Sequence, residues 1–418
     1  MNVVNILDFG AVRDGSQVCT QAFKAAIDAA FTQGGGTVLV PAGTYLTGPI
    51  ELKSNITLHL EAGAVIKFSS DLNDYPVIVT RWEGADVSAY MPLIYGKGLE
   101  NVAVIGRGTL DGQGSFWWHK KWEHARPRMI SFVESRDILI EGVKLINSPA
   151  WTVNPIECEN VVVDKLTIVN PADSPNTDGI NPDSCKNVRI SNCHIDVGDD
   201  CIAIKSGTEK NPKRIPCENI TITNCTMVHG HGGVVIGSEM SGDVRNVTIS
   251  NCIFEGTDRG IRLKTRRGRG GVVEDIRVNN IIMRGGFCPI VLNLFYRCGA
   301  DGDPVVEDRN ARPVDEGTPS FRRIRFSNIT AREIQAAAAY LQGLPEMKLQ
   351  DITFDNISIH MADDAEPRTP AMVRNLKPMA QMGIIADQVA NLRFTNVDVI
   401  NQVGDEITVT NGENIVIE

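Results

Sequence analysis

Short runs of β-branched residues alternate with polar ones along most of the chain, and each run closes on a small polar turn. Val188 and Ile190 alternate in "KNVRISNC", Ile220 and Ile222 in "ENITITNC", and Val247 and Ile249 in "RNVTISNC". The pattern returns as "EDIRVNNI", "RRIRFSNI", "QDITFDNI" and "ANLRFTNV", and in degenerate form earlier as "ENVAVIGRG", "RDILIEGV" and "ENVVVDKL". Period-two alternation over so few residues marks a half-buried strand. The units begin about 23 to 48 residues apart, the interval of solenoid coils carrying variable loops. No amphipathic helix separates them, which excludes βαβ repeats.

Strands this short bury a face only by stacking on their like in neighbouring coils. Parallel stacking with right-handed crossovers predicts an all-β chain: a right-handed parallel β-helix of about ten coils, one domain over 1–418. The recurrent Asn192, Asn224, Asn251, Asn280, Asn328, Asn356 and Asn396 then fall in one turn, where their amides can bond one another. That occupation argues against glycosylation of the sequons among them. The Cys or Ile that follows each asparagine packs inside. The ten cysteines show no CxxC pair and fit neither a disulfide framework nor a zinc site. Residues 19–33 carry apolar positions at helical spacing just before three glycines, which predicts an amphipathic helix capping the first coil.

Composition narrows the function classes. A net charge of −10 argues against general affinity for nucleic acid or anionic membrane. No apolar run approaches membrane-spanning length. The first residues have neither a basic nor an apolar leader segment, so a cytoplasmic protein is expected unless a signal has been removed. Oligomeric state is not legible.

Four stretches depart from the repeat: "NTDGI" (176–180), "GDDC" (198–201), "GHGGVVIGSE" (230–239) and "RGIRLK" (259–264). They fall about one coil apart, so each meets the same strand of successive coils, with rungs about 4.8 Å apart. Asp178, Asp199, Asp200, His231, Arg262 and Lys264 are thereby expected in one lateral patch. In "GIRLK", Ile261 and Leu263 point inward and Arg262 and Lys264 share the outer face. Three carboxylates together favour one protonated acid beside a base, the pairing that glycosidic hydrolysis needs. Arginine and lysine beside them suit a substrate carboxylate. Taken singly, each piece has a plainer reading: "DD" as a solvated turn or calcium ligand, "NTDG" as a turn, His231 as a loop feature.

The four elements together resemble the signature of the pectin-degrading glycoside hydrolases of the polygalacturonase type, with "RLK" for the usual R-I-K. The likeness runs from "LDFGAVRDG" through the last coils, and "GGVVIGSEMSG" resembles bacterial exo-acting members. The resemblance implies inversion at the anomeric carbon, no metal and no cofactor, and a galacturonate oligosaccharide or pectic polysaccharide as partner. It implies Asp199 as general acid, Asp178 and Asp200 as holders of the water, and His231 as a residue orienting the acids. Arg262 and Lys264 would bind the galacturonate carboxylate, with Asn176 and Tyr296 as further substrate contacts. The interval from "GDD" to "GHG" is longer than in typical endo enzymes. Rival readings are a calcium-dependent pectate-lyase-like enzyme, a hydrolase of another pectic chain such as rhamnogalacturonan, and a non-catalytic polysaccharide-binding rod. Residues 80–126, rich in aromatics, and the Gly/Pro-rich 297–320 are expected as loops over the cleft.

Overall fold

The fold is a right-handed parallel β-helix, seen here in a computed structural model that describes residues 2–418. The described residues group into two compact units, one ending at Asp199 and one running Asp200–Glu418.

In the first unit, strand Glu159–Asp164 pairs in parallel with Lys186–Ser191, setting Val161 against Val188 and Val163 against Ile190. All four are buried. The helix expected over 19–33 spans Thr20–Thr32 and packs against strands Val3–Asn5 and Gly36–Val40. Its buried residues, Ala22, Phe23, Ala26, Ile27 and Ala30, recur at three- and four-residue spacing, the period of one helical face.

The second unit carries the repeat at its most regular. Val247 aligns with Ile276, Ile276 with Ile324, Ile324 with Ile352, and Ile352 with Leu392. One inward position further, Phe326, Phe354 and Phe394 stack with ring centroids 5.1 Å apart. Each such ring contributes about 1.5–3 kcal/mol by burial, and aligned rings add about 0.5–1.5 kcal/mol per pair.

The asparagine turns behave as the repeat implies. Nδ2 of Asn280 donates to Oδ1 of Asn251 at 2.8 Å, that of Asn356 to Asn328 at 2.7 Å, and that of Asn396 to Asn356 at 2.8 Å. Every one of the seven lies at positive φ, between 50° and 57°. Asparagine tolerates this left-handed backbone better than other residues with a Cβ. The following Cys193, Cys225 and Cys252 are buried.

The stretch 80–126 is not a single loop. It holds most of an antiparallel hairpin, Val77–Trp82 with Ala85–Tyr90, then strands Ile94–Lys97, Glu100–Gly106 and Thr109–Asp111. These last three pair in parallel with other strands of their unit, because Val102, Val104 and Leu110 keep the inward alternation. A short helix, Gly114–Trp117, follows. Its Trp117 is fully buried against Tyr75, Tyr90, Phe116 and Trp122. That ring therefore packs the protein and offers no face to a sugar. Between residues 297 and 319 the chain is irregular apart from the short helix Pro304–Glu307. Among the described residues, no helix is long and apolar enough to cross a membrane.

Candidate active site

The first unit holds Asn176, Asp178 and Asp199. Asn176 sits at φ 55°, and its Oδ1 accepts from Arg126 Nη2 at 2.6 Å. Arg126 also donates to the carbonyls of Pro149 and Pro175, at 2.8 and 2.9 Å, so it ties two successive turns together. Burial lowers its guanidinium below the usual range, against the pull of Glu83 and Asp178. Asp178 is buried, and its Oδ2 accepts from Asn181 Nδ2 at 2.8 Å. Its carbonyl accepts from Thr152 N–H, also at 2.8 Å.

Gly198 ends strand His194–Val197 at a place where no larger residue fits. A Cβ there would lie 2.4 Å from the Ser174 carbonyl oxygen and 2.7 Å from that of Pro171. The Gly198 N–H donates to Thr177 Oγ1 at 3.3 Å, holding this corner on the turn that carries Asp178. Half-buried Asp199 follows, with a carboxylate oxygen within 4.8 Å of one on Asp178.

Asp200 opens the second unit and is 2% exposed. Its Oδ2 accepts from Lys264 Nζ at 2.8 Å and its Oδ1 from Arg262 Nη1 at 3.2 Å. Burial alone would raise its carboxyl, but Lys264, Arg262 and Lys205 together outweigh burial and hold it well below the usual carboxylate range. Gly232 of the "GHGG" run makes the approach possible: a Cβ there would come within 2.4 Å of Val235 and 3.1 Å of Asp200 Oδ1. Arg262 and Lys264 share a face of strand Arg259–Lys264, as alternation requires, but the strand is buried on both faces. Beneath them lies the ring of Tyr296, 5.7 Å from the Arg262 guanidinium carbon and 5.2 Å from Lys264 Nζ. Burial raises the Tyr296 phenol, against the pull of both cations. His231 Nδ1 lies 2.9 Å from Asp258 Oδ2, and this half-exposed ring is thereby oriented by an acid that sequence reasoning did not single out.

Two further buried charges escaped the sequence reading. Lys205 Nζ donates to Glu239 Oε2 at 3.1 Å, both nearly excluded from solvent. Burial would raise Glu239, but Lys205 and Arg269 hold it at about 2. The register carried the signal. Ile204 aligns with Ile236 and Ile236 with Leu263, so Lys205 continues the row that passes through Gly237 to Lys264.

A divalent cation would need carboxylate oxygens. Asp178 and Asp199 have oxygens close enough to share one. At Asp200 the cation would meet two positive side chains already bound to both oxygens. The donor set of the second unit therefore does not suit calcium. It suits an anionic substrate beside an ionised acid.

Comparison with known proteins points the same way. Residues 33–377 match the family described as glycosyl hydrolases family 28. A probable polygalacturonase of Vitis vinifera is 37% identical over 378 residues, covering 87% of this chain and 75% of that protein. An endo-polygalacturonase of Pectobacterium carotovorum subsp. carotovorum is 30% identical over 350 residues, covering 78% of this chain and 80% of its own. Among solved structures, a hyperthermoactive exopolygalacturonase of Thermotoga maritima superposes with a TM-score of 0.80 at 33% identity, over 97% of this chain and 93% of that one. The chain belongs to glycosyl hydrolases family 28 and is a glycoside hydrolase.

Proposed function

We propose that this enzyme hydrolyses α-1,4-galacturonosidic bonds in pectin-derived galacturonate chains, with inversion, working from chain ends. The observation that carries the substrate class is the pair of buried cations at Asp200. Arg262 and Lys264 are 3% and 7% exposed and bring two positive charges to the one carboxylate between them. A neutral galactan has no group to answer such a charge, whereas a uronate carboxylate does.

The roles follow from protonation. Asp200 stays ionised beside its cations, so it is a base and not the proton donor. Half-buried Asp199 gives its proton to the glycosidic oxygen as the bond to C1 breaks. A water attacks C1 from the other side, and Asp178 and Asp200 hold it and take its proton. His231, oriented by Asp258, steadies the acids. Asn176 and Tyr296 contact the sugar.

The similarity to an exopolygalacturonase across nearly the whole of both chains supports attack at chain ends.

The test is turnover of polygalacturonate followed by proton NMR and product sizing. The expected result is a first-formed product of inverted anomeric configuration, and monomer or dimer from the outset with slowly falling viscosity. Retained configuration overturns inversion. Early mid-length oligomers overturn the exo assignment, and an unsaturated, ultraviolet-absorbing product overturns hydrolysis. Asp199→Asn should lower kcat by about 10²- to 10⁴-fold with substrate binding largely kept.

A further inference from the structure

A cavity of about 710 Å³ opens in the second unit beside Arg262, lined by three arginines, Arg259, Arg297 and Arg374, and one acid, Asp301. Its volume lies within the range of small-ligand sites. The wall it shares with the catalytic cations is Met372, whose Sδ is 3.1 Å from Arg262 Nη2. We propose that this cavity binds the carboxylate of a second uronate residue, adjacent in the substrate to the sugar held by Arg262 and Lys264. The inference rests on the galacturonan reading above and extends it to a residue beyond the bond cleaved.

The three arginines have different tasks. Arg259 is a positioning residue. Its Nε and Nη2 donate to the carbonyls of Pro370 and Thr369, at 3.0 and 2.7 Å, and pin segment 369–376 to strand Arg259–Lys264. A second tie, from Arg297 N–H to the Met372 carbonyl at 3.1 Å, joins the loop after Tyr296 to the same wall. The cavity is thus built before a ligand arrives, which reduces the ordering cost of binding.

Arg297 and Arg374 are the ligand-facing cations. Their side chains are 45% and 46% exposed, and their partners are rim acids, Asp301 at 3.4 Å and Glu307. Exposed pairs of this kind add little to stability. A sugar carboxylate can replace such a partner at small cost, and guanidinium groups receive it in bidentate fashion. Neutral sugars have no anionic group with which to replace those rim acids.

The test compares kcat/KM on trigalacturonate and digalacturonate for the wild type and for Arg297→Gln/Arg374→Gln. The trimer-to-dimer ratio should fall about tenfold in the double variant, carried by KM and not by kcat, as expected for loss of a charge-assisted contact. Arg297→Lys/Arg374→Lys should keep most of the ratio. If the double variant does not fold, each single Gln variant should lower the ratio about threefold. An unchanged ratio overturns the cavity assignment and leaves galacturonan hydrolysis standing. A fall in kcat on both oligomers, not rescued by lysine, also overturns it, as a loosening of the fold. A wild type that cleaves neither oligomer overturns the functional reading itself.

Discussion

Strands Val244–Glu255 and Arg259–Lys264 follow one another along the chain of the second unit and obey different rules. The first alternates: Val247, Ile249, Cys252 and Phe254 are buried while Thr248, Asn251 and Ile253 face out. The second is buried at every position, charged residues included. Burying a lone ammonium or guanidinium is prohibitive, so the second strand exists in this form only because an anion meets it. Asp200 is that anion, and Gly232 leaves it the room. One strand is held by its own packing. The other is held by a carboxylate 62 residues away in the chain from its nearest cation.

The largest effect should come from removing that carboxylate. Asp200→Ala takes away the anion that Arg262 and Lys264 share and should destabilise the fold by about 3–5 kcal/mol, besides abolishing turnover. Asp200→Ala combined with Lys264→Met should recover part of the stability and none of the activity. Urea unfolding of the three proteins decides it: a single variant within about 1 kcal/mol of wild type means the cations do not depend on Asp200. In the alternating strand, Ile249→Ala should cost about 3 kcal/mol through the cavity it leaves, with kcat unchanged. A matching fall in kcat would mean that the two strands are mechanically coupled and the contrast between them is overdrawn.

The alternating strand was legible in the sequence because one period governs it. Ile249 needs only its own coil and the next to specify where it points. The left-handed φ of the asparagine turns follows from residue type and recurrence together. Asp178, Asp199, Asp200, Arg262 and Lys264 were legible as departures from the repeat. Lys205 and Glu239 were not, since each looks like an ordinary surface charge until register aligns Lys205 with Lys264's row. The burial of Trp117 was not legible, because an aromatic-rich stretch gives no sign of which ring turns inward. Asp258 and, Arg259 apart, the arginine-lined cavity lie on loops, where no period links residue to position.

The buried Lys205–Glu239 pair sharpens the contrast through pH. Glu239 has its carboxyl lowered from 4.5 to about 2, so the pair's contribution is present above 4.5 and lost as pH falls toward 2. Asp200 has the same sign, while the Ile249 side chain carries no titrating group. Thermal midpoints of wild type and Glu239→Gln should therefore differ at pH 6 and draw together as pH falls below 4.5 toward 2. Ile249→Ala should stay separated from wild type by a constant interval over the same range. A Glu239→Gln gap that does not narrow would show that this ion pair is not what acid removes.

The smallest effect lies in the turn after the alternating strands, where backbone conformation and side-chain bonding act together. Asn280 sits at φ 56° and donates from Nδ2 to Asn251 Oδ1 at 2.8 Å. Glycine at 280 would keep the left-handed backbone without strain and lose only the amide bond. Alanine would lose the bond and also carry a Cβ into a conformation that costs L-residues about 1 kcal/mol or more. Exposure weakens the amide bond itself, since water competes for both partners. The expected order of stability is wild type, then Asn280→Gly, then Asn280→Ala, with the whole span about 1–2 kcal/mol and turnover unaffected. Unfolding midpoints of the three proteins measure it. If alanine and glycine are equivalent, backbone strain is not what selects asparagine here and the amide ladder alone holds the turn; if glycine matches wild type, the ladder contributes nothing and the left-handed φ is the whole reason.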